Sequence, residues 1–154
     1  MTAVDTNILV YAHREDSTHH AAALDTIRRL AEGAAAWAIP WPCLHEFLAI
    51  VTHPRIYKPP TPLEDALIQV DCWMEAPTMH LLAEGSATYW PALREILASA
   101  RIVGPRVHDA RVAATCLRHG VDQLLSADRD FSRFPRLRVV NPLLERVRSA
   151  APPR

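Results

Sequence analysis

Residues 4–12 read VDTNILVYA, and Asp5 is the residue that has to be explained. Apolar side chains precede it, and after Thr6 and Asn7 the run ILV resumes. A charge inside an apolar run costs several kcal/mol unless it is paired, bound to a metal or placed at the end of an element. The simplest account is that a short strand stops at Asp5, which caps the following helix with help from Thr6 and Asn7. A sharper account requires other carboxylates to arrive at the same spot.

Outward from this stretch, short apolar segments alternate with helical patterns. AVD at 3–5 suits a buried strand, and a helix is expected from Thr6 to Ala12. HHAAALDTIRRLAEG carries Ala23, Leu24, Ile27 and Leu30 at helical spacing and stops at Gly33. Ala36 to Pro40 reads as a second strand, and Pro42 opens a helix with Phe47, Ile50 and Val51 on one face. PRIYKPPTP is too rich in proline for regular structure. Thr61 with Glu64 has the capping-box pattern before a helix to about Met74. MHLLAE is a third strand, followed by a helix from Ser86 to about Arg101 with Pro91 in its first turn. Asp109 to His119 is helical and ends at Gly120; QLLS at 123–126 and LRVVN at 137–141 are the last strands. Such alternation predicts a three-layer α/β/α sandwich around a mainly parallel sheet.

The chain of 154 residues suits one domain with a sizeable core. Residues 1–148 are expected to form it, and 149–154 to be a flexible tail. Basic and acidic residues balance, 17 against 17, so contact with nucleic acid requires a local patch, not a global field. Cys43, Cys72 and Cys116 are scattered among apolar residues, as expected of buried thiols in a reducing compartment. No signal-peptide pattern opens the chain and no apolar run approaches a membrane span, which points to the cytoplasm.

In a parallel sheet of this kind, ligands bind at the carboxyl ends of the strands. Asp5 follows the first strand, and Asp128 follows QLLSA, with Asp130 two residues on. Glu46 lies in the first turns of the helix after AWAIP, and Asp109 at or near the start of a later helix. Each alone is readily a cap or a solvated turn residue. Together they would repel: two carboxylates about 4 Å apart cost roughly 4 kcal/mol at an effective dielectric of about 20. A divalent cation relieves that repulsion, and carboxylates without histidine or thiolate partners suit Mg2+ or Mn2+. Acid clusters holding such ions cut phosphodiester bonds.

Four segments carry a resemblance. VDTNILVYA, HEFLAIVTHPR, HDARVAATCLRHGV and LLSADRDFSRFPRLRVVNP, in this order, resemble the PIN domain, in particular the VapC-type toxins of toxin–antitoxin modules. The resemblance implies a PIN-like fold and a Mg2+- or Mn2+-dependent endoribonuclease that inhibits translation and growth. It places Asp5, Glu46, Asp109 and Asp128 on the family's acidic quartet, Asp130 on a frequent additional acid, and Thr6, Asn7 and Ser126 on supporting polar positions. It also implies a VapB-like antitoxin partner and a homodimer. The alternative is a PIN scaffold that binds RNA or an antitoxin without catalysis.

Arg106, Arg111, Arg129 and Arg133 adjoin the acidic motifs and are candidate RNA contacts, Arg111 alternatively as the partner that positions a site carboxylate. Tyr57, with Arg55 and Lys58 near it in the proline-rich loop, is a candidate stacking surface for an unpaired base. The eight histidines form no ligand set, and the four tryptophans are assigned to core and interface. A haloacid-dehalogenase-type phosphohydrolase is disfavoured, because it requires a second acid where Asn7 stands. A receiver domain is disfavoured because the single lysine, Lys58, is not late in the chain.

Overall fold

The computed structural model describes residues 1–85 and 87–144; Ser86 and the predicted tail lie outside them. The chain runs β1 (Thr2–Val4), α1 (Thr6–His13), α2 (His20–Glu32), β2 (Trp37–Pro40), α3 (Trp41–Val51) and α4 (Leu63–Met74). It continues through β3 (Met79–Leu82), α5 (Tyr89–Ser99), α6 (Val107–Arg118), β4 (Gln123–Leu125) and β5 (Val139–Val140). The five strands are parallel throughout, in the order β3-β2-β1-β4-β5.

That order follows from the chain's own logic. The path steps outward from β1 to β2 and β3, then returns to the other side of β1 for β4 and β5. Because crossovers between parallel strands are right-handed, the two directions of travel put their helices on opposite faces. Accordingly α1 packs on α2 and α3, and α3 on α4, while α5 pairs with α6. A crevice opens where the direction reverses, beside β1.

The strands are short and apolar because both faces are covered. All four residues of β2 are buried, as are Ala3, Val4, Leu124 and Leu125. Phe47 of α3, fully buried, meets the Trp73 ring of α4 at 4.8 Å and the His13 ring at 5.4 Å, which locks three helices together.

Several local expectations change. The Thr61–Glu64 capping box does not form: Pro62 is the cap residue of α4, and the Thr61 hydroxyl lies 3.1 Å from Arg14 and 3.2 Å from His13. Asp109 is not a cap, for α6 begins two residues earlier at Val107. Cys43 and Cys116 are buried thiols, but Cys72 is exposed on α4. Trp37 and Trp73 belong to the core, whereas Trp41 and Trp90 are exposed. No helix among the described residues is long and apolar enough to cross a membrane.

Candidate active site

Asp5 sits immediately after β1, and its backbone N–H continues the ladder by donating to the Leu125 carbonyl at 3.0 Å. It occupies the cap position of α1, yet its carboxylate makes no capping hydrogen bond. The side chain points elsewhere. Its Oδ2 accepts from Ser126 Oγ at 2.6 Å and from Asn7 Nδ2 at 2.8 Å, and Oδ1 faces the Cys43 thiol at 3.6 Å. Ser126 Oγ also accepts from the Asp128 backbone N–H at 3.0 Å, and Asn7 Oδ1 from that of Ala127 at 3.0 Å. The ends of β1 and β4 are thus stitched together through the residues around Asp5.

The other acids arrive from separate elements. Glu46, in the second turn of α3, accepts from Thr6 Oγ1 at 2.8 Å. Asp109 stands in the first turn of α6, where the helix dipole favours an anion. Asp128 opens a short 3-10 turn and accepts from the Asp130 N–H at 2.8 Å. Asp109, Asp128 and Asp130 each offer a carboxylate oxygen, and these atoms lie within 4.8 Å of one another. Asp5 and Glu46 fall outside that tight group. They share with Asp109 and Asp128 the walls of a cavity of about 310 Å³. A second cavity of about 310 Å³ shares Asp5, Glu46 and Asp109, and is completed by His45, His108 and Arg111 among others. A larger groove of about 520 Å³ on the far side of Asp128 has largely apolar walls and carries none of the other four acids.

Electrostatics follow this placement. Burial pushes the Asp5 carboxyl up to about 6, prevailing over the hydrogen bond from Ser126, and Glu46 adds to the rise. The Asp109 carboxyl is also raised, first by burial and then by repulsion from Asp128, Asp130 and Glu46. Clustered carboxylate oxygens with no histidine or thiolate among them fit a hard divalent cation.

The PIN-domain family model matches residues 2–137. Ribonuclease VapC43 of Mycobacterium tuberculosis is 38% identical over 143 residues, covering 93% of this chain and 96% of the relative. The chain belongs to the PIN-domain family, among the VapC ribonucleases. Ribonuclease VapC48 of the same organism is 28% identical over 138 residues, covering 90% and 94%. In three dimensions the chain resembles VapBC2 of Rickettsia felis, solved bound to a DNA fragment from its promoter, with a TM-score of 0.64. That match has 20% identity and covers 91% of this chain and 97% of the other.

In this PIN domain the candidate basic residues divide. Arg111 binds Glu84 with both arms of its fork, Nε to Oε1 at 2.9 Å and Nη2 to Oε2 at 3.1 Å. Its hydrogen bonds hold the Glu84 carboxyl below the usual carboxylate range, and Tyr89 donates to the same oxygen at 3.0 Å. Arg111 therefore pairs with Glu84 and not with any of the expected site carboxylates. Arg133 lies 3.9 Å from Asp130, and Arg106 and Arg129 are exposed. Sequence reasoning missed Glu84 and Cys43. Cys43 stands one helical turn before Glu46, a spacing that places both on one face of α3. Nothing local marked Glu84, which reaches Arg111 across 27 residues of chain.

Proposed function

We propose that this protein is a metal-dependent endoribonuclease, the toxin of a toxin–antitoxin pair, whose action on RNA stops translation and growth. The observation that carries this reading is the convergence of Asp109, Asp128 and Asp130 within 4.8 Å, beside Asp5 and Glu46 on one cavity. The names of its relatives as ribonucleases agree with it.

In this reading Asp5, Glu46, Asp109, Asp128 and Asp130 hold Mg2+ or Mn2+. The cation supplies Lewis acidity and an activated water for opening a phosphodiester. The chain's own residues do the positioning. Ser126 and Asn7 orient Asp5, Thr6 orients Glu46, and the bonds from Ser126 Oγ to Asp5 and from the Ala127 N–H to Asn7 hold the carboxyl end of β4 against that of β1. Arg106, Arg129 and Arg133, near the acids in sequence and exposed, are available to RNA phosphates beyond the acidic centre, a local patch on a neutral protein. A VapB-like antitoxin masks the site, and the toxin pairs with itself.

Purified protein with Mn2+ should cut RNA, and excess chelator should stop it. Asp109→Asn and Asp128→Asn should each lower the rate about 100-fold or more, since the lost charge stabilisation amounts to several kcal/mol. Calorimetry should show Mn2+ binding to the wild type and weaker binding to both variants, with folding unchanged. Cleavage by both variants at the wild-type rate would leave only the RNA- or antitoxin-binding scaffold.

A further inference from the structure

Tyr57 lies on the wall of the same cavity as Asp5, Glu46, Asp109 and Asp128, although it comes from the irregular loop after α3. The loop is held firmly there. The Tyr57 N–H donates to the His53 carbonyl at 3.1 Å, and the Thr61 N–H to the Val51 carbonyl at 2.8 Å. From the other side Arg14 sets its guanidinium 4.1 Å from the centre of the Tyr57 ring. Arg14 is itself fixed: it donates to Asp16 at 2.9 and 2.6 Å, to the Pro59 carbonyl at 3.2 Å and to Thr61 Oγ1 at 3.1 Å. Tyr57 lines the cavity and Arg14 does not, and the ring also packs against the hydrophobic core.

We propose that Tyr57, braced by Arg14, is a stacking platform for one unpaired RNA base beside the phosphate that is cut. This rests on the ribonuclease reading above. Three physical points support it. A cluster of carboxylates repels phosphates, so RNA entering this cavity needs an uncharged anchor, and stacking on an aromatic ring provides one. A ring already pinned on one side loses little freedom on binding. A cavity of about 310 Å³ has room for a base with its sugar. Val10, Tyr11 and Ile50 complete its apolar wall.

The test uses a single-stranded oligoribonucleotide of mixed sequence carrying 2-aminopurine at successive positions, bound in Mg2+ to protein in the Asp109→Asn background. Fluorescence should be quenched strongly at one position. Adding Tyr57→Leu should abolish that quenching and weaken binding about 5- to 150-fold, the equivalent of about 1–3 kcal/mol. Tyr57→Phe and Tyr57→Trp should retain both. In a cleavage assay with the otherwise wild-type enzyme, an abasic nucleotide at the same position should cost as much as Tyr57→Leu, and the two together little more. Failure to quench at any position overturns the proposal, as does quenching that survives Tyr57→Leu in a protein of unchanged melting temperature. A full abasic penalty in Tyr57→Leu does the same. If Tyr57→Leu does not fold, the abasic scan of Tyr57→Phe decides: with no position sensitive, the platform is absent. RNA cut normally by Tyr57→Leu removes the platform and leaves the nuclease. Tyr57-dependent quenching in a wild-type protein that cuts no RNA removes the nuclease and leaves the platform.

Discussion

Asp5 shows what it costs a single residue to keep a carboxyl buried. It is only 5% exposed, and three donors surround it, yet desolvation prevails and holds its carboxyl at about 6 instead of the ordinary 3.8. A carboxyl raised in this way favours the folded state below the unfolded value and loses that contribution as pH rises through the folded value. In metal-free protein the window is therefore about pH 4 to 6, and the loss above it is about 3 kcal/mol. Asp5→Asn, which keeps an acceptor for Ser126 and Asn7, should stabilise the protein in chelator by up to about 3 kcal/mol at pH 7.5 and hardly at all at pH 4.5. Urea unfolding at the two pH values measures this. Equal destabilisation at both would mean that the carboxylate serves the fold as a cap.

At the scale of elements, two helices on the same face of the sheet end alike with different residues. After α6, Gly120 has φ +63°, its N–H donates to Leu117, and that of Val121 donates to Cys116 at 3.0 Å. After α5, Arg101 has φ 51°, its N–H donates to Ala98, and that of Ile102 donates to Leu97 at 2.9 Å. Both are Schellman ends with a buried apolar residue, Val121 or Ile102, following the left-handed position. Arginine carries a Cβ penalty there that glycine does not. Gly120→Ala should therefore cost about 1 kcal/mol and Arg101→Gly should gain up to about 1 kcal/mol. Thermal denaturation of the two variants should move the melting temperature in opposite directions. The α4 start makes a related point: the Thr61 hydroxyl is taken by Arg14 and His13, so a sequence pattern for capping served instead to tie a loop to α1.

Over the whole molecule, the reversal of strand order beside β1 determines where chemistry can occur. It brings the carboxyl ends of β1 and β4 together, and with them Asp5 and Asp128, while α3 and α6 deliver Glu46 and Asp109 from elements distant in sequence. Each acid is held by a different element, so removing one should silence the site without unfolding the rest. Induced expression in a bacterial host should arrest growth, Glu46→Gln should relieve the arrest at equal protein level, and the cognate antitoxin should restore growth to the wild-type protein. Colony counts with immunoblots check this; an arrest equally strong with Glu46→Gln would make the effect non-catalytic.

Element type and order were legible in the sequence because burial on both sides of a parallel sheet leaves its mark on each strand. Trp37–Pro40 is apolar throughout, and proline and glycine punctuate the helices around it. The acids at strand ends were legible for the same reason, since a charge interrupts an apolar pattern only where the element stops. Tertiary structure alone decided how they group. Asp130, in a turn that reads as solvated, joins Asp109 and Asp128, while Asp5 is withdrawn behind Ser126 and Asn7. It also turned Arg111 towards Glu84 and brought Tyr57 to the cavity on the Arg14 guanidinium. Such pairings join residues far apart in the chain, and local periodicity records which side chains are buried but not which distant partner each one meets.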